Sequence, residues 1–179
     1  MSYEHELLGL AITTPRYLLA MEMAERVKKQ ESILLPMSMF IAADVADGMI
    51  MRHIGGGEET SVRRVADGII DHASQFCLMN QIAKSYPQTI RYILALSARA
   101  GIVGAMNATH LLRTGEVTKR QNWQRAANLS SALFAVVAAT GNQKATKFTG
   151  LLAVGIGAVT AIQHAKDLGI PHEEGIRKL

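Results

Sequence analysis

The 179-residue sequence predicts an all-α fold in a single domain spanning residues 1–179. Half of the residues (49%) are hydrophobic but only 5% are aromatic, and Ala, Met, Leu and Ile supply most of the apolar mass. The sequence contains four prolines, has no strict alternation of apolar and polar residues, and carries only weak hairpin signals. Apolar segments of helical length are separated by short polar turns, so a helical bundle is the expected architecture.

The N-terminal part is the least regular of these segments. Residues 1–16 contain several leucines and close on a helix-start signal at Thr13-Thr14-Pro15-Arg16. A first span of about residues 15–24 follows, and it is poor because charged side chains crowd residues 22–29. Five longer segments are predicted at about 33–54, 61–84, 88–112, 126–140 and 146–165, with turns at Gly55-Gly56-Gly57, Ser85-Tyr86-Pro87 and Gly141-Asn142-Gln143.

Four of the five aspartates lie between residues 44 and 71, as the pairs Asp44/Asp47 and Asp67/Asp71. Spacings of three and four residues place each pair on one face of a helix. The glycine-rich turn joins the two helices, so both pairs should lie at the same end of adjacent antiparallel helices. That arrangement can bring four carboxylates into one pocket.

Four carboxylates in a dry pocket need compensation, because like charges force protonation. Oxygen ligation of one or two hard divalent cations supplies it, and Mg²⁺ or Mn²⁺ fits best. The alternative is that both pairs are ordinary solvated helix faces. Apolar neighbours, such as Ile69 and Ile70 between the aspartates of the second pair, favour the metal site.

The residues from 44 to 71 resemble the signature of the CDP-alcohol phosphotransferases. That signature reads D-x-x-D-G-x-x-A-R, a spacer of eight or nine residues, then G-x-x-x-D-x-x-x-D. This chain has all four aspartates, Gly48 and Arg52, but Met51 replaces the alanine, Arg63 replaces the second glycine, and the spacer is ten residues long. The order of segments fits the family from about residue 15 to residue 167, although only the signature is specific.

The resemblance implies a six-helix transmembrane bundle preceded by a short N-terminal interfacial helix. It also implies two Mg²⁺ or Mn²⁺ ions at Asp44, Asp47, Asp67 and Asp71, with Asp71 as the catalytic base. Gly48 would let the backbone approach the nucleotide, and Arg52 would contact the diphosphate.

The activity implied is transfer of a phosphatidyl or other substituted phosphoryl group from a CDP-alcohol to an alcohol, with release of CMP, in phospholipid biosynthesis. CDP-diacylglycerol is the expected donor, and the acceptor is a small polar alcohol that the sequence does not specify. The other expected partners are membrane lipids and a second copy of the chain in a homodimer. No nucleic-acid partner is expected.

Four basic residues are candidate contacts for an anionic substrate. Arg99 lies in the middle of the fourth segment, where a charge is costly and usually faces a cavity or a partner. Arg113, Lys119 and Arg120 belong to the most basic loop of the chain, residues 113–125. The alternatives are that Arg99 pairs with a buried carboxylate and that the loop anchors the protein at the membrane surface.

Composition does not decide between a membrane bundle and a soluble one, because no run of about 20 uninterrupted apolar residues is present. The resemblance favours an integral protein of the bacterial cytoplasmic membrane with its active site facing the cytoplasm. If the aspartate end faces the cytoplasm, eleven Lys and Arg residues, Arg16 among them, lie inside and seven outside. That balance follows the positive-inside rule.

Two other functions stay open at this point. A catalytically degenerate relative, acting as a membrane scaffold or lipid binder, is favoured by Met51, Arg63 and the poor first span, and opposed by the four aspartates. A soluble enzyme acting on a magnesium-bound prenyl diphosphate would need a longer chain, an aspartate-rich motif on two distant helices and more aromatic residues.

Overall fold

The computed structural model describes the backbone of residues 3–54, 61–116, 118 and 122–169. It describes the side chains of the same ranges except 3–13, 47–48, 50–54, 61–67 and 122–123. Over these residues the protein is all-α, without strands, which confirms the predicted fold class. The six helices are α1 (Tyr3–Lys28), α2 (Leu34–Ile54), α3 (Ser61–Ser85), α4 (Ile90–Thr114), α5 (Asn122–Ala139) and α6 (Gln143–Asp167), with a short 3-10 helix at Pro87–Thr89 before α4.

The helix ends follow the turn residues that the sequence contains. Gly115 ends α4 in a left-handed conformation (φ 72°), and its N–H donates to the Leu111 carbonyl. Gly141 has φ 73° between α5 and α6. The side chain of Asn142 caps α6 by accepting a hydrogen bond from the Ala145 N–H at 3.1 Å.

The predicted break near Pro15 is wrong. Pro15 lies inside α1, which runs without interruption from Tyr3 to Lys28. From this point on, one face of the helix is completely buried, with Arg16, Ala20, Met23 and Val27 at successive spacings of four, three and four residues. This face packs against α2 and α3. Its burial offsets the backbone hydrogen bond that a proline removes.

Two groups of helices share one core. One group is α1 with α2 and α3, and the other is α6 with α4 and α5, and α3 contacts both α4 and α5. Phe134 of α5 is fully buried, and its ring meets Tyr92 of α4 edge to face, with centroids 5.9 Å apart.

Short connections make successive helices antiparallel. The C-terminal ends of α2, α4 and α6 therefore lie at the same end of the bundle as the N-terminal ends of α3 and α5, and we call this the aspartate end. At the opposite end, the Tyr86 hydroxyl after α3 donates to the carbonyl of Ala139 at the end of α5, at 3.0 Å.

Two of the described helical stretches are long and apolar enough to cross a membrane, Pro87–Thr114 and Gln143–Asp167. Only 28% of each apolar window is buried inside the protein, whereas the core helix of a soluble protein is mostly buried. The finding gives weak support to membrane association. The other four helices do not meet the same test over their described residues.

Candidate active site

Asp44 and Asp71 meet at a single guanidinium nitrogen. Arg16 Nη1, on α1, donates to Asp44 Oδ1 of α2 at 2.8 Å and to Asp71 Oδ1 of α3 at 2.9 Å. Asp44 lies ten residues before the end of α2 and Asp71 ten residues after the start of α3, so both lie about 15 Å from the aspartate end. The sequence spacing predicted that the two aspartate pairs would lie together, and the structure brings these two members together.

The three side chains differ in their exposure. Arg16 is 0% exposed, whereas the side chains of Asp44 and Asp71 keep 35% and 26% of their surface accessible. The arginine therefore lies behind the carboxylates, and the carboxylates line an open side. In this group of three side chains, two acidic groups face one basic group.

The other two aspartates occupy matching positions on the backbone. Asp47 follows Asp44 by three residues and Asp67 precedes Asp71 by four, so each lies about one turn nearer the aspartate end. Their side chains lie outside the described residues. The same holds for the side chains of Met51, Arg52 and Arg63, and the surroundings of Gly48 are not described either.

The described residues fit a divalent cation in their donor chemistry. Among the side chains that the structure describes, no group of three or more His, Cys, Asp or Glu is placed to hold a metal ion, and Asp44 and Asp71 are the two described members of the predicted four. Their Oδ1 atoms come from different helices and already converge on one cationic atom, Arg16 Nη1. Converging carboxylate oxygens are the ligands that Mg²⁺ and Mn²⁺ prefer.

The basic residues predicted as anion contacts have different surroundings. Arg99 is half-buried in α4, and its side chain lies against α6, where a Cβ added to Gly157 would be 3.7 Å from Arg99 Cγ. Its Nε is buried and has no hydrogen-bond partner among the described residues, and none of the described carboxylates pairs with it. Arg113 is exposed in the last turn of α4. Lys119 and Arg120 lie outside the described residues.

Sequence reasoning missed the role of Arg16, which it counted among the charges at the cytoplasmic end. The signal was present in the spacing, because Arg16, Ala20, Met23 and Val27 follow the pattern of a buried helix face. An arginine on such a face must find anionic partners in the interior.

Sequence reasoning also missed a second polar cluster, toward the aspartate end. Asn107 Oδ1 of α4 lies 2.6 Å from Nε2 of His164 of α6 and accepts the hydroxyl of Thr118 at 3.0 Å. An amide oxygen can only accept, so the Nε2 of His164 carries the proton, and its Nδ1 is left to accept from Gln124 Nε2 of α5 at 3.4 Å. His164 is buried, and this network ties the ends of three helices together.

Comparison of the chain with protein-family models, characterised proteins and solved structures finds no significant match. The functional interpretation therefore depends on the aspartate signature and on the geometry around Arg16.

Proposed function

We propose that the protein is a CDP-alcohol phosphotransferase, which transfers a phosphatidyl or other substituted phosphoryl group from a CDP-alcohol to a small polar alcohol and releases CMP. The observation that supports this most directly is the convergence of Asp44 and Asp71 on one point from two helices. The signature needs such a convergence, whereas two unrelated solvated helix faces do not.

Asp71 is the group that we assign as general base. It is partly exposed on the open side of the site, so an acceptor hydroxyl can reach it. In the proposed reaction the carboxylate takes the hydroxyl proton, the acceptor oxygen forms a bond to the phosphorus of the donor alcohol's phosphate, and the bond from that phosphorus to the CMP oxygen breaks. Two divalent ions, held by Asp44, Asp47, Asp67 and Asp71, would neutralise the diphosphate charge.

The setting that we propose is the bacterial cytoplasmic membrane, crossed by all six helices, with the aspartate end facing the cytoplasm. Pro87–Thr114 and Gln143–Asp167 support it by length and composition. A lipid donor would then enter sideways from the bilayer, and a polar acceptor would enter from the water at the aspartate end. We further propose that the protein is a homodimer.

The second candidate is a degenerate relative that binds lipid or acts as a scaffold. The ion pairs of Arg16 with Asp44 and Asp71 favour this candidate, because an internal arginine already compensates two of the carboxylates without a metal ion. The two candidates differ in what they require of Asp71, which a scaffold needs only as a partner of Arg16.

The deciding experiment measures CMP release by the purified protein from CDP-diacylglycerol, with Mg²⁺ or Mn²⁺ and each of four acceptors: glycerol phosphate, inositol, inositol phosphate and serine. We expect release with one acceptor, and a fall of about 100-fold or more in Asp71→Asn, because a general base contributes about 10²–10⁴ to the rate. Asp167→Asn is the matched control, since Asp167 is exposed on α6 and accepts from Gln163 Nε2.

The control variant should keep wild-type turnover. Activity that survives in Asp71→Asn would contradict the assignment of the base. A folded, Mn²⁺-binding protein that releases no CMP with any acceptor would favour the scaffold.

A further inference from the structure

We propose that Arg16 is a built-in counter-ion that occupies the carboxylate site in the metal-free protein and competes with a divalent cation for Asp44 and Asp71. This inference rests on the metal site of the proposed function, but it concerns how that site is held and filled rather than the reaction. It assigns a positioning role to a residue outside the aspartate signature.

The geometry makes the competition direct. Arg16 Nη1 lies within hydrogen-bond distance of one oxygen from each carboxylate, so those two oxygens are separated by no more than the sum of the two distances. A cation that binds both oxygens must lie close to the guanidinium. Two positive groups that share the same ligands repel each other, and the repulsion is strong because the arginine is fully buried.

Arg16 is fully enclosed in the bundle. It lies on the buried face of α1, with Ala20 one turn further along, and this face is enclosed by α2 and α3. We therefore expect the guanidinium to remain beside the carboxylates when a cation approaches. The site should bind a free cation weakly, and the same arginine should hold the two carboxylates aligned while no cation is bound.

The test is a titration of the purified full-length protein with Mn²⁺, followed by the electron paramagnetic resonance signal of free Mn²⁺. Arg16→Gln removes the charge and keeps a hydrogen-bond donor, and we expect its Kd for Mn²⁺ to fall by at least about tenfold. Arg16→Lys keeps the charge and should bind Mn²⁺ within about threefold of the wild type.

Arg26→Gln is the position control. Arg26 lies on the same helix, is partly exposed and pairs with Glu22 four residues earlier, so its substitution removes the same charge away from the site. Its Kd for Mn²⁺ should equal that of the wild type. Binding by Arg16→Gln that is equal to or weaker than binding by Arg16→Lys would overturn the proposal.

Stability gives a second readout, because Arg16→Gln removes the positive charge that faces both carboxylates. Added Mn²⁺ should raise the Tm of this variant more than that of the wild type. A variant that folds only with Mn²⁺ also supports the proposal, whereas one that stays unfolded in excess Mn²⁺ overturns it, since the cation then fails to replace the arginine.

The two proposals fail in different ways. If the wild type binds Mn²⁺ and releases CMP but Arg16→Gln binds no more tightly, only the competition is refuted. If the tighter binding appears in a protein that never releases CMP, only the enzymatic function is refuted. If no variant binds Mn²⁺, the metal site and the competition are both refuted.

Discussion

Arg16 and Arg99 differ in burial and in the carboxylate partners that the described residues give them. Arg16 is completely enclosed, and its Nη1 donates to two carboxylates, which repay the desolvation of the guanidinium. Arg99 is half-buried in α4, and its Nε is enclosed without a partner in the described part of the chain. A charge retained inside the bundle at a cost to stability favours a role in binding an anion.

We therefore predict that Arg99→Met raises the KM for a phosphate-bearing substrate by about tenfold, because one charge-assisted hydrogen bond contributes about 1.5–3 kcal/mol. The thermal stability should stay the same or rise, since a desolvated and incompletely bonded charge is replaced by an apolar side chain of similar length. Steady-state kinetics of CMP release and a thermal unfolding curve measure the two effects on one preparation.

Arg91→Met serves as the control for this prediction. Arg91 lies at the other end of α4, is exposed, and donates from Nη2 to the Tyr92 hydroxyl at 2.8 Å. It should leave KM unchanged. A fall in stability of Arg99→Met without a change in KM would assign Arg99 to the structure rather than to the substrate.

For individual residues, the sequence predicted that Asp44 and Asp71 would lie close together, but it did not predict that Arg16 would contact them. Asp44 and Asp71 were expected to meet because helix periodicity and a six-residue connection leave few other arrangements. Arg16 is distant from both in sequence, and tertiary packing alone decides which buried face of α1 meets them. The hydrogen-bond network of Asn107 and His164 was not predicted for the same reason, since 57 residues separate the two partners.

The helices themselves were more predictable than the contacts between them. Turn residues such as Gly115 and Asn142 act locally, so they fix where a helix ends from the sequence alone. Pro15 acts locally as well, but burial of the helix face that follows offsets its cost, and the break expected there does not form.

Close packing of α6 against α4 depends on one glycine. A Cβ added to Gly150 would lie 2.7 Å from Cγ of the buried Tyr92 ring, a distance that the ring cannot accept without moving. Gly155, on the same helix, has nothing within 4 Å of an added Cβ. The two glycines share a backbone conformation and differ only in what faces them.

We predict that Gly150→Ala destabilises the protein by about 1–3 kcal/mol, because it overpacks the contact with Tyr92. Gly155→Ala is the matched control and should be neutral or stabilising by roughly 0.5–1 kcal/mol, since alanine loses less conformational entropy in a helix. Denaturant unfolding in detergent gives both values. Equal effects of the two substitutions would show that α6 does not pack on Tyr92 as described.

For the whole molecule, the distribution of exposed apolar side chains bears on whether the protein lies in a membrane. Large hydrophobic side chains are exposed on all six helices, including Phe76 (70% exposed), Leu112 (88%) and Phe148 (69%). A soluble monomer rarely exposes apolar patches of more than a few hundred Å². In a bilayer the same side chains lie against lipid at no cost.

More helices are long enough to cross a bilayer than have the mean hydropathy expected of a membrane span. The 25 residues of α3 extend about 37 Å, more than the roughly 30 Å of bilayer hydrocarbon. The polar residues that lower its hydropathy include Asp71, which belongs to the interior site and need not meet lipid. Mean hydropathy counts a polar residue that faces the interior in the same way as one that faces lipid. A helix that carries an interior polar site therefore has a lower mean hydropathy than its lipid-facing surface alone would give.

The orientation of the protein in the membrane can be tested by labelling single introduced cysteines. The background is Cys77→Ser, because Cys77 is the only cysteine in the sequence. Glu116→Cys lies just after α4 at the aspartate end, and Lys144→Cys lies at the start of α6 at the opposite end, and both positions are exposed. A membrane-impermeant maleimide applied to intact spheroplasts should label Lys144→Cys, whereas Glu116→Cys should react only after lysis, because the Lys and Arg excess favours the aspartate end inside. Labelling of Glu116→Cys alone would reverse the orientation. If both positions react only after lysis and the protein is recovered in buffer without detergent, the exposed apolar faces are covered by another copy of the chain rather than by lipid.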